Sequence, residues 1–251
     1  MVLLRTVNLQ KYFGETRACD GLNFVVNKGE FLSLVGSNGA GKTTLVNLIS
    51  ARLQPDSGQI LFEDRDITFT TVEDRIKAGI ARSFQIVNLF DGLSVLENVS
   101  LSIFSREGKA VMMTRLADHD DNVRREALDV LGQFGLIAKA KVRAGGLAQG
   151  ERKLLDVAIA YALRPRLLFL DEPTSGVSTH EKSQIMDTVS SVVRGGMVTA
   201  VVIEHDMDVV FRYSERVVMM HEGTFLADGT PDEIRANKDV ANILLGEPLV
   251  A

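Results

Sequence analysis

The residues best able to do chemistry crowd into one stretch, Gly36-Ser37-Asn38-Gly39-Ala40-Gly41-Lys42-Thr43-Thr44, in which Gly36, Gly41, Lys42 and Thr43 meet the spacing G-x-x-x-x-G-K-[ST]. Glycines let the main chain turn with its N–H groups facing inward, and Gly39 adds another point where φ can be positive. A ring of amides backed by a helix N-terminus attracts the β- and γ-phosphates of a nucleotide. In that setting the Lys42 ammonium neutralises phosphate charge and the Thr43 hydroxyl serves as a ligand to Mg²⁺.

A triphosphate held this way needs a metal and, for hydrolysis, a polarised water. Asp171 follows the apolar run "LLFL", the arrangement that delivers a carboxylate to the metal shell. Glu172 comes next, and alternation along an extended chain points it elsewhere, toward an attacking water for which it is the general base. His205 closes a later apolar run, where an imidazole either bonds the γ-phosphate, positions Glu172 or is structural. Gln85, in "ARSFQ", offers an amide that coordinates Mg²⁺ or water, or caps a strand end.

Strands and helices must place these groups. Phe31–Val35 reads as a buried strand and residues 43–50 as a helix with Leu45, Leu48 and Ile49 on one face, so the glycines join strand to helix. The opening is β-rich: "LLRTVNLQKYFG" and "GLNFVVNKGEFLSLVG" are punctuated by Gly14, Gly21 and Gly29, and "SGQILFEDRDI" adds a strand after a turn. From about Val72 helices dominate, and "DNVRREALDVLGQFGL" sets Val123, Ala127, Val130, Leu131 and Phe134 on one face, as expected of an inserted helical lobe. The continuous apolar strands in "PRLLFLDEP" and "GMVTAVVIEHD", the latter ending in Glu204, His205 and Asp206, imply a parallel sheet covered on both faces in an α/β fold, with the chemistry at the strand ends. "SREGKAVMMTRLADHDD" is the most linker-like segment and is expected to be mobile.

Composition sets outer bounds. The 251 residues suffice for one large domain or one with an inserted lobe, and 45% apolar content suits a globular core. A net charge of −5 from 28 basic and 33 acidic residues gives no global field that favours nucleic acid. Cys19, the single cysteine, fits a reducing compartment and a small buried core position. With no basic and apolar leader and no apolar run near about 18 residues, the chain is expected neither to be secreted nor to span a membrane by itself.

The order of motifs carries more than any one of them. "GSNGAGKTT", Phe84 and Gln85, "LAQGE" at 147–151, "LLFLDEP", "SGVS" at 175–178 and "IEHD" at 203–206 resemble the successive motifs of an ABC transporter nucleotide-binding subunit, over about residues 3–246. The resemblance implies a P-loop NTPase core of ABC ATPase type with an N-terminal antiparallel β subdomain and an inserted helical subdomain. The whole chain, 1–251, is then a single domain, with core at 1–85 and 164–251 and helical lobe at 86–163. "ARSFQIVNLFDGLSVLENV", "VVIEHDM" and "LADGTPDEIRANKDVANILLGE" are similar to the ATP-binding subunits of branched-chain amino acid uptake systems. Lipopolysaccharide-export ATPases have comparable tails, and urea or short-amide importers share much of the rest.

The resemblance also implies residue roles. Phe13 stacks on adenine, with Tyr12 as the alternative; Gln85 couples the nucleotide site to a membrane partner; His205 is the switch histidine. The family's Leu-Ser-Gly-Gly-Gln segment opens a helix and reaches across a dimer to the γ-phosphate on the other subunit. Here Ala148, Gln149 and Glu151 replace its serine, first glycine and glutamine, so the hydroxyl is lost while Gly150 and the helix-start amides keep a weakened contact. Ser178 stands where an aspartate is common, and in "ERKLLDVAIAYAL" the inward residues are expected to be Leu154, Leu155, Ala158, Ile159 and Ala162. The implied assembly binds ATP with Mg²⁺ between two ATPase subunits, homodimeric or heterodimeric, at the cytoplasmic face of the membrane. It pairs with separate transmembrane permease subunits and, indirectly, a solute-binding protein, without nucleic acid. A non-transport ABC ATPase would usually carry paired cassettes or coiled-coil insertions, and a P-loop kinase is disfavoured because Glu172 after Asp171 argues for water as acceptor.

Overall fold

Strands of mixed burial build the antiparallel layer, and uninterrupted buried runs form the central strands of the parallel one. The computed structural model describes residues 1–83, 89–108 and 120–245. Its elements begin with β1 (Val2–Phe13), β2 (Thr16–Leu22), β3 (Val25–Asn27), β4 (Phe31–Val35), α1 (Lys42–Ile49), β5 (Ser57–Phe62), β6 (Arg65–Asp66) and α2 (Val72–Ala78). Then come β7 (Ile80–Arg82), α3 (Val95–Arg106), α4 (Asp121–Gln133), α5 (Gln149–Ala162), β8 (Leu167–Asp171) and α6 (Thr179–Gly195). The chain continues through β9 (Thr199–Ile203), α7 (Met207–Tyr213), β10 (Arg216–His221), β11 (Thr224–Gly229), α8 (Pro231–Ala236) and α9 (Lys238–Leu245). Among the described residues no helix is long and apolar enough to cross a membrane.

These elements form two units, one from Met1–Ala78 together with the chain from Val198 onward, the other Gly79–Met197. In the first, β1 pairs antiparallel with β2, β3 and β5, and β5 with β6. Beside this antiparallel layer, β4 runs parallel to both β9 and β10, and β11 closes that edge antiparallel. Every residue of β4 and β9 is buried, as a strand covered on both faces requires. Register fixes the working edge: Val35 lies opposite Met219 and Leu34 opposite Ile203. The glycine-rich loop after β4 therefore leaves the sheet at the same carboxyl edge as His221 and the Glu204-His205 pair, the edge at which parallel sheets place their ligands. Below it, Val35, Val217 and Met219 pack with Val210, Ile234 and Val240 from the three helices α7, α8 and α9.

In the second unit β7 and β8 pair in parallel, accompanied by helices α3 to α6. A capping box between Ser94 and Glu97 starts α3, and the Asp120 carboxylate caps α4. Val123, Ala127, Val130, Leu131 and Phe134 are all buried on the face read from their spacing. Between α3, α4 and α6, helix α5 is covered more widely than one stripe: Leu155, Ala158 and Ala162 point inward, Leu154 and Ile159 are only half-buried, and Lys153 and Asp156 are buried with the apolar residues. Of the linker-like segment, Ser105 and Arg106 extend α3 and Asp121 begins α4, while 109–119 lie outside the described residues. The strand in "GMVTAVVIEHD" stops at Ile203, because the Asp206 carboxylate accepts the N–H groups of Asp208 and Val209 and turns the chain into α7.

Candidate functional site

The glycine-rich loop after β4 is built by exclusion. Gly36 has φ 145° and Gly41 φ 104°, and a Cβ added at either would collide with a backbone carbonyl oxygen, that of Met220 or of Ala18 respectively. Only glycine allows so close an approach at these dihedrals. Ser37, Asn38 and Gly39 are exposed at the tip, whereas Ala40 is buried and anchors the turn, its carbonyl accepting the Gly223 N–H at 3.0 Å. No side chain caps α1 at Gly41, so the amides of its first turn remain directed outward, as anion binding at a helix start requires. Lys42 is buried and folds back over the loop, its Nζ donating to Gly36 O at 2.6 Å and Ser37 O at 2.9 Å. Thr43 is exposed beside it, with Thr44 half-buried.

The same unit carries three further candidates. Phe13 ends β1 half-exposed at 50%, with Lys11 Nζ 5.6 Å from its ring centroid, whereas the Tyr12 hydroxyl donates to Asp20 at 3.0 Å. That bond, reinforced by desolvation and the Asp20 charge, pushes the Tyr12 phenol above its ordinary range and keeps the ring engaged. Of the two aromatics, Phe13 has the face to offer. His205 is exposed past β9, its backbone N–H donating to Glu204 Oε2 at 3.2 Å. Arg75, unremarkable in sequence, is the third: it is 2% exposed and binds the last carbonyls of α1, Leu48 O and Ile49 O, each at 2.5 Å.

In the second unit Asp171 ends the buried strand β8. Its Oδ2 accepts Arg82 Nη2 at 2.5 Å, with both side chains nearly excluded from solvent. A carboxylate and a hydroxyl such as Thr43 are hard oxygen donors that suit Mg²⁺, which takes few protein ligands and completes its shell with water and phosphate. Among the described residues no cluster of three or more His, Cys, Asp or Glu offers an all-protein cage. Glu172 diverges from Asp171 by a sharper device than strand alternation: it lies past β8 with φ 47°, a left-handed conformation costing a non-glycine residue about 1–3 kcal/mol. Its carbonyl is held from two sides, by Ser175 N–H at 3.1 Å and by the buried Lys153 Nζ at 3.1 Å. Gln85 and Phe84 lie outside the described residues.

The "LAQGE" turn starts α5. Ala148 is the N-cap, and its methyl accepts nothing, so only half of a capping box exists: Ala148 N–H donates to Glu151 Oε2 at 3.0 Å. Glu151 is also paired with Lys139 at 3.0 Å. Burial works to raise the Glu151 carboxyl, and these two partners outweigh it and hold it below the ordinary range. A Cβ on Gly150 would lie 3.5 Å from Glu181 Oε1 and 3.6 Å from Ile185 Cδ1, and one on Gly176 3.9 Å from Gln149 Nε2. The "LAQGE" turn thus packs beside the start of α6 and the "SGVS" turn. Ser178 caps α6 in a full box with Glu181, its hydroxyl donating to Glu181 Oε2 at 2.6 Å.

Sequence reasoning missed Arg75, Arg82 and Lys153. For Lys153 a signal existed: it shares helical spacing with Val157 and Ala160 on the buried side of α5. Arg82 and Arg75 sit among other charges in "VEDRIKAGIARS" and nothing local marks them as buried.

Comparison with known proteins follows the same lines. A family model described as ABC transporter matches residues 19–175. The high-affinity branched-chain amino acid transport ATP-binding protein LivG of Escherichia coli strain K12 is 33% identical over 251 residues, covering 98% of each chain. An ATP-binding cassette of an ABC transporter solved in its ADP conformation superimposes with a TM-score of 0.88 at 30% identity, covering 98% of this chain and 100% of that one. A dimeric cassette in a post-hydrolysis state bound to ADP and Pi gives a TM-score of 0.77 at 26% identity, with 91% and 99% covered.

Proposed function

Because the chain belongs to the ABC transporter family, we propose that it is the ATP-hydrolysing subunit of an importer for branched-chain or related amino acids, with separate permease subunits supplying the membrane path. The observation that carries the ATPase reading is the glycine loop at the sheet's carboxyl edge, with Lys42 folded over it and the first amides of α1 uncapped. On nucleotide binding, Lys42 exchanges the Gly36 and Ser37 carbonyls for phosphate oxygens, and Phe13 stacks on adenine. Thr43 and Asp171, with Gln85, would hold Mg²⁺, which would supply charge neutralisation at the phosphates. Glu172 accepts the proton of the attacking water, and His205 orients the γ-phosphate end of the site.

Two copies close on two nucleotides, the glycine loop of one facing the "LAQGE" turn of the other. ATP then joins the copies, hydrolysis separates them, and a peripheral position at the cytoplasmic membrane face lets the permease follow that cycle. The dimeric ADP and Pi cassette supports such an assembly, and the LivG likeness supports the solute class. Solute choice itself resides in the permease and a solute-binding protein.

Phosphate release from ATP, with no acceptor but water, tests the core of this reading. Glu172→Gln is expected to keep ATP binding and lose about 10²–10⁴-fold in hydrolysis, the loss typical of a general base. Wild-type protein that fails to bind ATP would overturn it. Capture of membrane proteins with Glu172→Gln held in ATP tests the transport half, and recovery of ribosomal proteins alone would defeat it.

A further inference from the structure

The Lys153 side chain is a buried cation with no part in the chemistry above. It is 3% exposed, on the α5 helix that the "LAQGE" turn opens, one helical turn from Gln149. Its Nζ leaves that helix and donates to Glu172 O at 3.1 Å and Ser175 Oγ at 2.9 Å. A lysine loses hydration and side-chain freedom when buried. Here its donors go to the peptide that follows Glu172 and to the turn leading to α6.

We propose that Lys153 is a positioning residue that couples the two ATP sites of a dimer of this chain: from the helix whose first turn meets the partner's nucleotide, it holds the left-handed backbone that aims Glu172 at its own. The inference rests on the dimeric ATPase reading and deepens it. The φ of 47° at Glu172 is a conformation an L-residue abandons unless its surroundings fix it. Lys153 and Ser175 N–H grip the one carbonyl whose orientation that conformation sets. A shift of α5 after the partner's γ-phosphate is lost lengthens the Lys153 to Glu172 bond. At 3.1 Å it already lies near the long end of the N–H···O range, so a few tenths of an ångström more weaken it. The second acceptor, Ser175, lies beside Gly176, whose backbone neighbours Gln149 in the same turn. The first turn of α5, the Glu172 carbonyl and the "SGVS" turn are therefore joined by contacts through which such a shift is felt at Glu172.

The test is the ATP concentration dependence of phosphate release for wild type, Lys153→Met, Lys153→Arg and Ser175→Ala, with equilibrium ATP affinity measured alongside. Wild type is expected to show a Hill coefficient approaching about 2, and Lys153→Met one falling to about 1, as coupled and uncoupled paired sites require. The kcat of Lys153→Met is expected to fall on the order of tenfold with ATP affinity within about twofold, the split expected when only transition-state positioning is lost. Lys153→Arg, which keeps a donor-bearing cation, restores the higher Hill coefficient. Ser175→Ala keeps the Glu172 contact and falls between, a readout that survives should Lys153→Met fail to fold. A lowered kcat with cooperativity intact would mark Lys153 as merely structural and overturn the inference, as would a wild-type Hill coefficient of about 1 in an active enzyme. Wild type that neither binds nor hydrolyses ATP would remove the ATPase reading and this inference with it, whereas cooperative wild type matched by Lys153→Met removes this inference alone.

Discussion

Replacing Arg75 by methionine probes what holds the far end of α1, the helix that follows the glycine-rich loop. All five guanidinium N–H directions are used: Nε to Thr70 Oγ1 at 3.2 Å, Nη1 to Leu48 O and Ile49 O at 2.5 Å each, and Nη2 to Ile67 O at 2.7 Å and Thr68 O at 2.9 Å. Burial lowers its pKa to about 10, so at neutral pH it stays charged at the negative end of the α1 dipole. In Arg75→Met, Leu48 O keeps the Ala51 N–H and Ile67 O keeps that of Thr70. The cost therefore falls on the Ile49 and Thr68 carbonyls. At about 1–3 kcal/mol for each stranded buried group, the expected loss is about 4 kcal/mol. For a chain of this length that corresponds to roughly 8–16 °C in melting temperature. Urea unfolding followed by circular dichroism measures it, with Arg75→Lys expected to lie between because it keeps the charge and fewer donors. A loss under about 1 kcal/mol would refute the reasoning, since it would mean that the cost of burying the cation already cancels its bonds.

Other predictions are narrower. Gly41→Ala should weaken ATP affinity at least about tenfold, and Gly39→Ala less, because a Cβ meets the Ala18 carbonyl at the first position and open space at the second; titration with a fluorescent ATP analogue ranks them, and the reverse order would contradict the loop's geometry. Phe13→Ala should weaken adenine-nucleotide binding by about 0.5–1.5 kcal/mol, the worth of an aromatic pair, while leaving inorganic triphosphate binding unchanged. Equal loss for both ligands would remove Phe13 from the base site. Cys19 is buried, which pushes its thiol up to about 12. It should resist iodoacetamide at pH 8 in the folded protein and react on unfolding; rapid labelling of native protein would contradict that burial.

The phosphate loop was legible because its constraint is local: the glycines are demanded by main-chain clashes, and the strand and helix around them have their own apolar periods. The all-buried strands β4, β8 and β9 were legible for a similar reason, as continuous apolar runs bounded by polar residues. Three things were hidden. "VEDRIKA" looks like a solvated helix, and only the distant chain around Leu48 and Ile67 makes Arg75 a core residue. The divergence of Asp171 and Glu172 was expected from strand pleating, yet it arises from a left-handed residue past the strand end, which no side-chain pattern announces. Ser178 stands where an aspartate is common, and in the fold it caps α6 with Glu181, a role its short hydroxyl performs as an aspartate would.

The central claim is that ATP joins two copies of this chain. Sedimentation velocity of Glu172→Gln, with saturating ATP and Mg²⁺ and again without nucleotide, tests it most directly. The account predicts a shift from monomer to a species of twice the mass with ATP only. A monomer under both conditions, in protein shown to have ATP bound, would contradict it.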